Sequence, residues 1–458
     1  IRGGGFHRSE GAEKNYRQAV ALCDELADEF PVNAAYQAEL VRSLLKLGRF
    51  LSDHQRNTEA EPFLLQARIV AQELASKSPN DPERREALAD CEGNLGVLWK
   101  ATDLQKAETA LTRQLTIRQE LARAYPEVGD YREKLAFAHL DLAGLLRTRG
   151  RLKGTEQAFK QAVLLLEARW KEASLPPWLV STVGGGGYNG LAEVLLDQRR
   201  SSEADAAIRR SVEIRKQVDR DFPGMPYCWH GLAMSLSTQG RVLRELGRQR
   251  EAVAAYREAV EYQQRAVADN PAHASLRQDL GVMRSELAWL TILSPLPIRD
   301  TERAGTEIKK ALELEPENGA YLTVRAIVHY RLGEWTKSLQ VLQAVVRENE
   351  SNDQLLRGWV SADGVMQRMA ERQARAALVL NGFFTAMCLY RLGKKDEASE
   401  CYRRALQRWQ AQTINEPAHV AELQAIQREA AALLGIREES ANEEANGKDR
   451  DRRLRSPC

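Results

Sequence analysis

Five prolines, Pro31, Pro79, Pro126, Pro223 and Pro271, each follow an alanine at one unvarying interval; the alanines are Ala12, Ala60, Ala107, Ala204 and Ala252. One helical turn after each alanine comes a large side chain, Tyr16, Leu64, Leu111, Ile208 or Tyr256. A motif that returns at fixed spacing restricts a chain to architectures that stack one supersecondary unit on another. The same small-then-large step recurs at Thr155 and Phe159 (with Pro176 slightly late), at Ala304 and Ile308 with Ala311, at Ser338 and Leu342, and at Ala398 and Tyr402 with Ala405. The small positions are therefore 12, 60, 107, 155, 204, 252, 304, 338 and 398. Their spacing is nearly constant up to 252, shortens to the standard length of a helical-hairpin repeat between 304 and 338, and is longest before 398.

Each unit holds a second small residue, always the same step before the first, at Gly48, Ala143, Ala192, Gly240, Ala326 and Ala386; Gly96 stands one place nearer, which shortens its turn. Two antiparallel helices approach closely only where side chains are small, and a large residue one turn on fills the space beside the contact. Each long unit therefore reads as a helix A, a short turn and a helix B that stops at proline. Asp81 to Thr102 followed by Leu104 to Tyr125 is an example. At ~20 residues each, such helices are ~30 Å long.

Composition agrees. The 458 residues exceed one ordinary core, and 28% charged with 6% aromatic residues suits amphipathic helices. Net charge is +2 with the signs interspersed, so no broad field for nucleic acid arises. The cysteines, Cys23, Cys91, Cys228, Cys388, Cys401 and Cys458, form no C-x-x-C pair. With the scattered histidines they give no metal-ligand spacing, so no metal or cofactor is expected, and a reducing, cytoplasmic setting is. No apolar run approaches the ~20 residues of a membrane helix. Residues 287 to 293 come nearest and run into Pro295 and Pro297.

The expected organisation is a disordered start over 1–10, a long-unit array of ~48 residues per unit over 11–300, and a unit of standard length over 301–350. An irregular helical connection over 351–380, a last unit with a capping helix over 381–436 and a disordered charged tail over 437–458 complete it. Gly11 to Phe30 reads as a helix B without its helix A, so the chain is expected to be the C-terminal part of something longer.

Leu47-Gly48-Arg49-Phe50-Leu51 and Leu95-Gly96-Val97-Leu98-Trp99, with the small-and-large register, resemble the tetratricopeptide-repeat (TPR) superfamily over roughly 11 to 436. That resemblance implies an all-α, superhelical α-solenoid of antiparallel helix pairs that binds protein or peptide segments in a concave groove without catalysis. More narrowly, Leu145 to Arg151, Gly186 to Leu191, Phe383 to Met387 and Ala430 to Ile436 are similar in texture to the long-unit arrays that follow bacterial serine/threonine protein kinase domains. This implies an alternative role as the regulatory or docking region of such a kinase, with the catalytic domain upstream. The chain itself contains no H-R-D, D-F-G, V-A-I-K, A-P-E or G-K-[ST] motif.

Gly185-x-Gly187-x-x-Gly190 satisfies a dinucleotide fingerprint, and Trp178 to Val183 before it could pass for a strand. The glycines fall in the helix A slot, however, in phase with Ala192 and Ala204, and no strand–helix alternation surrounds them. Close helix contact with local fraying at 184–187 is the expected outcome. The recurring Trp99, Trp170, Trp229, Trp289, Trp335 and Trp409 read as packing residues. In the resemblance, polar groove positions lie near the second small residue. They carry over to Arg42, Arg49, Lys100, Arg147, Asn189, Arg241 and Arg244, with Phe383 and Tyr390 as apolar anchors and Tyr330 a weaker one. Arginine can grip carboxylates through paired hydrogen bonds.

Overall fold

The structure, a computed structural model, describes residues 4–172, 176–293, 300–351, 364–411 and 417–436. Among them the regular elements are all helical, and the chain divides into two compact units, Ile1–Gln198 and Arg199–Cys458. The expected disordered tail lies outside the described residues, as do 352–363 of the expected irregular connection.

The first unit runs α1 (Gly4–Glu29), α2 (Ala34–Asp53), α3 (Asn57–Lys77), α4 (Pro82–Trp99), α5 (Leu104–Ala124), α6 (Gly129–Thr148) and α7 (Leu152–Glu172). α8 (Pro177–Thr182), a π-helical segment (Val183–Asn189) and α9 (Gly190–Asp197) follow as one continuous run. α1 begins at Gly4, within the stretch expected to lack structure. The second unit holds α10 (Ser201–Asp221), α11 (Pro226–Glu245), α12 (Gln249–Asp269), α13 (Ala274–Leu293) and α14 (Thr301–Leu314). It continues through α15 (Gly319–Arg331), α16 (Trp335–Ser351), α17 (Gly364–Arg391), α18 (Lys395–Ala411) and α19 (Pro417–Leu434).

In each unit consecutive helices pack on one another, and alternate helices such as α2 and α4, or α13 and α15, also touch. This is an all-α, TPR-like solenoid. Helix ends follow local chemistry. Asp81, Asp103, Asp300 and Asn318 accept backbone N–H bonds of 2.9–3.1 Å from the first turns of α4, α5, α14 and α15. Most turns from helix A to helix B need a left-handed residue, supplied by Gly150 (φ 69°), Gly247 (φ 72°), Gly333 (φ 78°) and Gly393 (φ 83°), and by Gln55 (φ 61°) between α2 and α3.

Apart from Ala12, which is half-buried, the small positions expected from the register are packing points. Ala60, Ala107, Thr155, Ala204, Ala252, Ala304, Ser338 and Ala398 are fully buried, as are Ala143, Ala192, Ala326 and Ala386. A Cβ placed on Gly48 would stand 2.5 Å from Leu64 Cδ2, and one on Gly96 would stand 2.6 Å from Leu111 Cδ2. The large residue of helix B thus occupies the space that a side chain on helix A would need. Thr155 and Ser338 settle their hydroxyls on backbone carbonyls, Arg151 at 3.1 Å and Ala326 at 2.8 Å, so a polar residue serves where alanine is the rule.

The glycine-rich segment bears out the helix A slot and corrects the expected fraying. Residues 178–182 are helical, and 183–189 form a π-helix rather than a frayed stretch. The reason is close packing: Val163 and Phe159 of α7 lie against Gly187 and Gly190, where no side chain would fit. Of the tryptophans, Trp99 and Trp289 are buried, while Trp178 is 52% exposed.

Candidate partner-binding site

Most of the polar residues proposed from the register occupy positions one and four past the second small residue of helix A, and the two positions differ in kind. Position four faces the next helix of the stack. Arg147 there is 6% exposed. It donates to Asp197 at 3.1–3.2 Å and pairs with Glu193, both on α9. Arg244 is likewise 6% exposed. It binds Glu422 of α19 through Nε (2.8 Å) and Nη2 (2.6 Å), with Glu286 of α13 at 3.7 Å. Trp289 Nε1 donates to the same Glu422 at 3.1 Å. Burial pushes Glu286 up, and the nearby Arg244 opposes that shift. These arginines join helices, and their donors face inward.

Lys100 holds position four, immediately after α4. It draws down the pKa of Asp141 on α6, although burial, the larger effect, raises that acid. Arg49, at position one of α2, does the same to Asp90 of α4, which burial also raises and whose stronger partner is Arg118 at 2.6 Å. Of these cations, Arg147 forms a direct ion pair with an acid on the next helix A, Asp197.

Arg49 remains exposed and Arg241 half-exposed, and Arg42 is exposed beside Glu39 at 2.6 Å. Asn189 ends the π-segment; its Nδ2 donates to Glu193 at 3.3 Å, while its buried Oδ1 has no hydrogen-bond partner among the described residues. Phe383 is fully buried between Tyr402 (centroids 5.5 Å apart) and Trp409 (6.3 Å), so it is core. Tyr390 is half-buried with Lys395 Nζ 5.9 Å from its ring, and Tyr330 is buried on Phe384 at 5.3 Å.

The register reading missed an apolar surface in the first unit. Trp178 of α8 stacks on Phe137 of α6 with centroids 6.2 Å apart and planes 21° apart, and half of the indole faces solvent. Val97, at position one of α4, is also exposed. The available signal was that Trp178 stands outside the recurrence of the other tryptophans. Among the described residues, no group of three or more His, Cys, Asp or Glu could hold a metal ion, and no helix is long and apolar enough to cross a membrane.

A stack of antiparallel helix pairs nested at small residues defines a helical-repeat solenoid. Parts of it match models of the tetratricopeptide repeat: residues 232–273, 298–353 and 385–408. No curated protein sequence matches the chain. Among solved structures, the apo form of RapI is 11% identical and aligns over 82% of this chain and 99% of its own with a TM-score of 0.52, a likeness of fold. BtubC from P. vanneervenii is 19% identical over 57% of this chain and 92% of its own (TM-score 0.42). The S. pombe nuclear import adaptor Nro1 is 12% identical over 64% and 99% (TM-score 0.46).

Proposed function

We propose that this chain is a non-catalytic scaffold that holds protein or peptide segments against its helix A surfaces. The observation that carries this reading is the sorting of the register positions. The inward-facing cations are consumed by neighbouring helices, whereas Arg49, Arg241, Val97 and the Phe137–Trp178 pair stay open to solvent. An exposed aromatic stack together with exposed charged side chains supplies apolar anchoring with polar orientation, which is how extended segments are held. The free thiols at Cys23, Cys91, Cys228, Cys388 and Cys401 fit a reducing compartment, the cytoplasm.

Panning a random-peptide display library on the intact chain tests the proposal. Enriched peptides whose affinity falls about tenfold in Trp178→Ala or Arg241→Glu are expected, equivalent to ~1.4 kcal/mol. No enrichment, or affinities untouched by both substitutions, counts against it. The narrower reading, a docking region beside a bacterial serine/threonine kinase domain, is supported by the phrase similarity noted above. Sequencing the gene upstream and looking for a glycine-rich loop, a strand lysine and H-R-D decides it.

A further inference from the structure

Arg215 of α10 holds the same place in its repeat, counted from Ala204, that Arg118 holds from Ala107 and Gln263 holds from Ala252. In the other two repeats this side chain ties helix B to the next helix A. Arg118 Nη1 donates to the Lys134 carbonyl at 2.6 Å, and its Nη2 meets Asp90 Oδ1 at 2.6 Å. Gln263 Nε2 donates to the Leu276 carbonyl at 2.9 Å, and its Oε1 pairs with His230 Nδ1 at 3.1 Å. Arg215 has no such bonds at Nε and Nη1, which are sealed from solvent and without a hydrogen-bond partner among the described residues.

The cause is visible on α11. Gly231 stands to Arg215 in the sequence as Lys134 stands to Arg118, and the guanidinium lies against the bare backbone there, with Nη1 in the space a Cβ would fill. Among the described residues Arg215 forms no ion pair, and the Cys228 thiol is the group that acts on it. Burial pushes the guanidinium down to about 10, which still leaves it charged at neutral pH. Arg147, Arg244, Arg284 and Arg331, the buried arginines nearest in kind, each hold a carboxylate. A desolvated cation without a counter-charge is unfavourable, and an acid that reaches it is correspondingly favoured. The residue as a whole is only partly buried.

We propose that Arg215 is the receptor for an aspartate or glutamate side chain of a bound protein segment, which fills the role Asp90 fills for Arg118. The proposal rests on the scaffold reading above and adds the chemistry of the partner: an acidic residue at the point that meets α10 and α11. A carboxylate is favoured over other anions because this chain's own solution at the equivalent position is an aspartate.

Thermal unfolding of the full chain is followed with N-acetyl-aspartyl amide, its asparaginyl analogue and inorganic sulfate, at constant ionic strength. The midpoint is expected to rise saturably with the aspartyl compound and to stay flat with the asparaginyl one. Arg215→Met should abolish the response while melting at or above the wild-type temperature, since it removes an unpaired buried charge. Arg215→Lys should respond with about tenfold weaker affinity, as expected of a lost bidentate contact. No response in the wild type, an equal response in Arg215→Met, or a response to sulfate but not to the aspartyl compound would overturn the proposal. The probe is not a peptide, so failure here with successful peptide panning removes the Arg215 assignment and leaves the scaffold reading standing.

Discussion

Arg244 of α11 and Glu422 of α19 are 178 residues apart in sequence and form a two-pronged ion pair in the interior of the second unit. The pair closes α19 onto α11, and Trp289 on α13 donates into the same carboxylate. Removing one member leaves a buried charge unmatched, which typically costs ~3–5 kcal/mol. Arg244→Met is therefore expected to lower the urea midpoint of the second unit sharply. Arg244→Met with Glu422→Gln should cost less than the two single changes added together. Additive losses would show that the pair is not coupled.

The turns give a second expectation. Gln55 holds φ 61° at the place where Gly150, Gly247, Gly333 and Gly393 hold φ 69–83°. A side chain in that region is disfavoured by ~1–2 kcal/mol. Gln55→Gly should raise the melting temperature and Gly150→Ala should lower it, each by the equivalent of ~1 kcal/mol. Circular dichroism melts read both.

His139 of α6 supplies a pH dependence. Burial lowers its pKa from 6.5, so the unfolded chain binds a proton more readily than the folded one. Its contribution to stability is present above 6.5 and is lost as pH falls from there through the folded value. Melting temperatures compared at about pH 7.5 and about pH 5.5 should differ less in His139→Gln than in the wild type. An unchanged difference would remove His139 from the account.

The fold was legible because nesting needs small residues in step, and composition cannot hide a period: Ala60, Ala107, Ala204 and Ala252 all reached the core. The site was legible only in part. Register places a residue near the inner surface but does not say whether its charge is already matched. Arg147 and Arg49 both stand just past a second small residue, yet Arg147, at position four, is locked to Asp197 and Glu193 and Arg49, at position one, stays exposed. Phe383 shows the same limit for apolar residues, since an aromatic on helix A serves core and surface equally well until its neighbours Tyr402 and Trp409 are known. The π-segment at 183–189 had no signal beyond its glycines, which also suit a loop.

Nesting itself is tested most directly at Gly240 and Tyr256. A Cβ on Gly240 would stand 2.5 Å from ring atoms Cδ2 and Cε2 of the fully buried Tyr256, so Gly240→Ala is expected to cost ~1–3 kcal/mol by crowding. Gly319→Ala, where the added methyl meets nothing within 4 Å, should cost nothing. In a Tyr256→Ala background the Gly240→Ala penalty should nearly vanish, a coupling of at least ~1 kcal/mol in the double-mutant cycle. An equal penalty in both backgrounds would contradict the claim that the helices nest there, small residue against large.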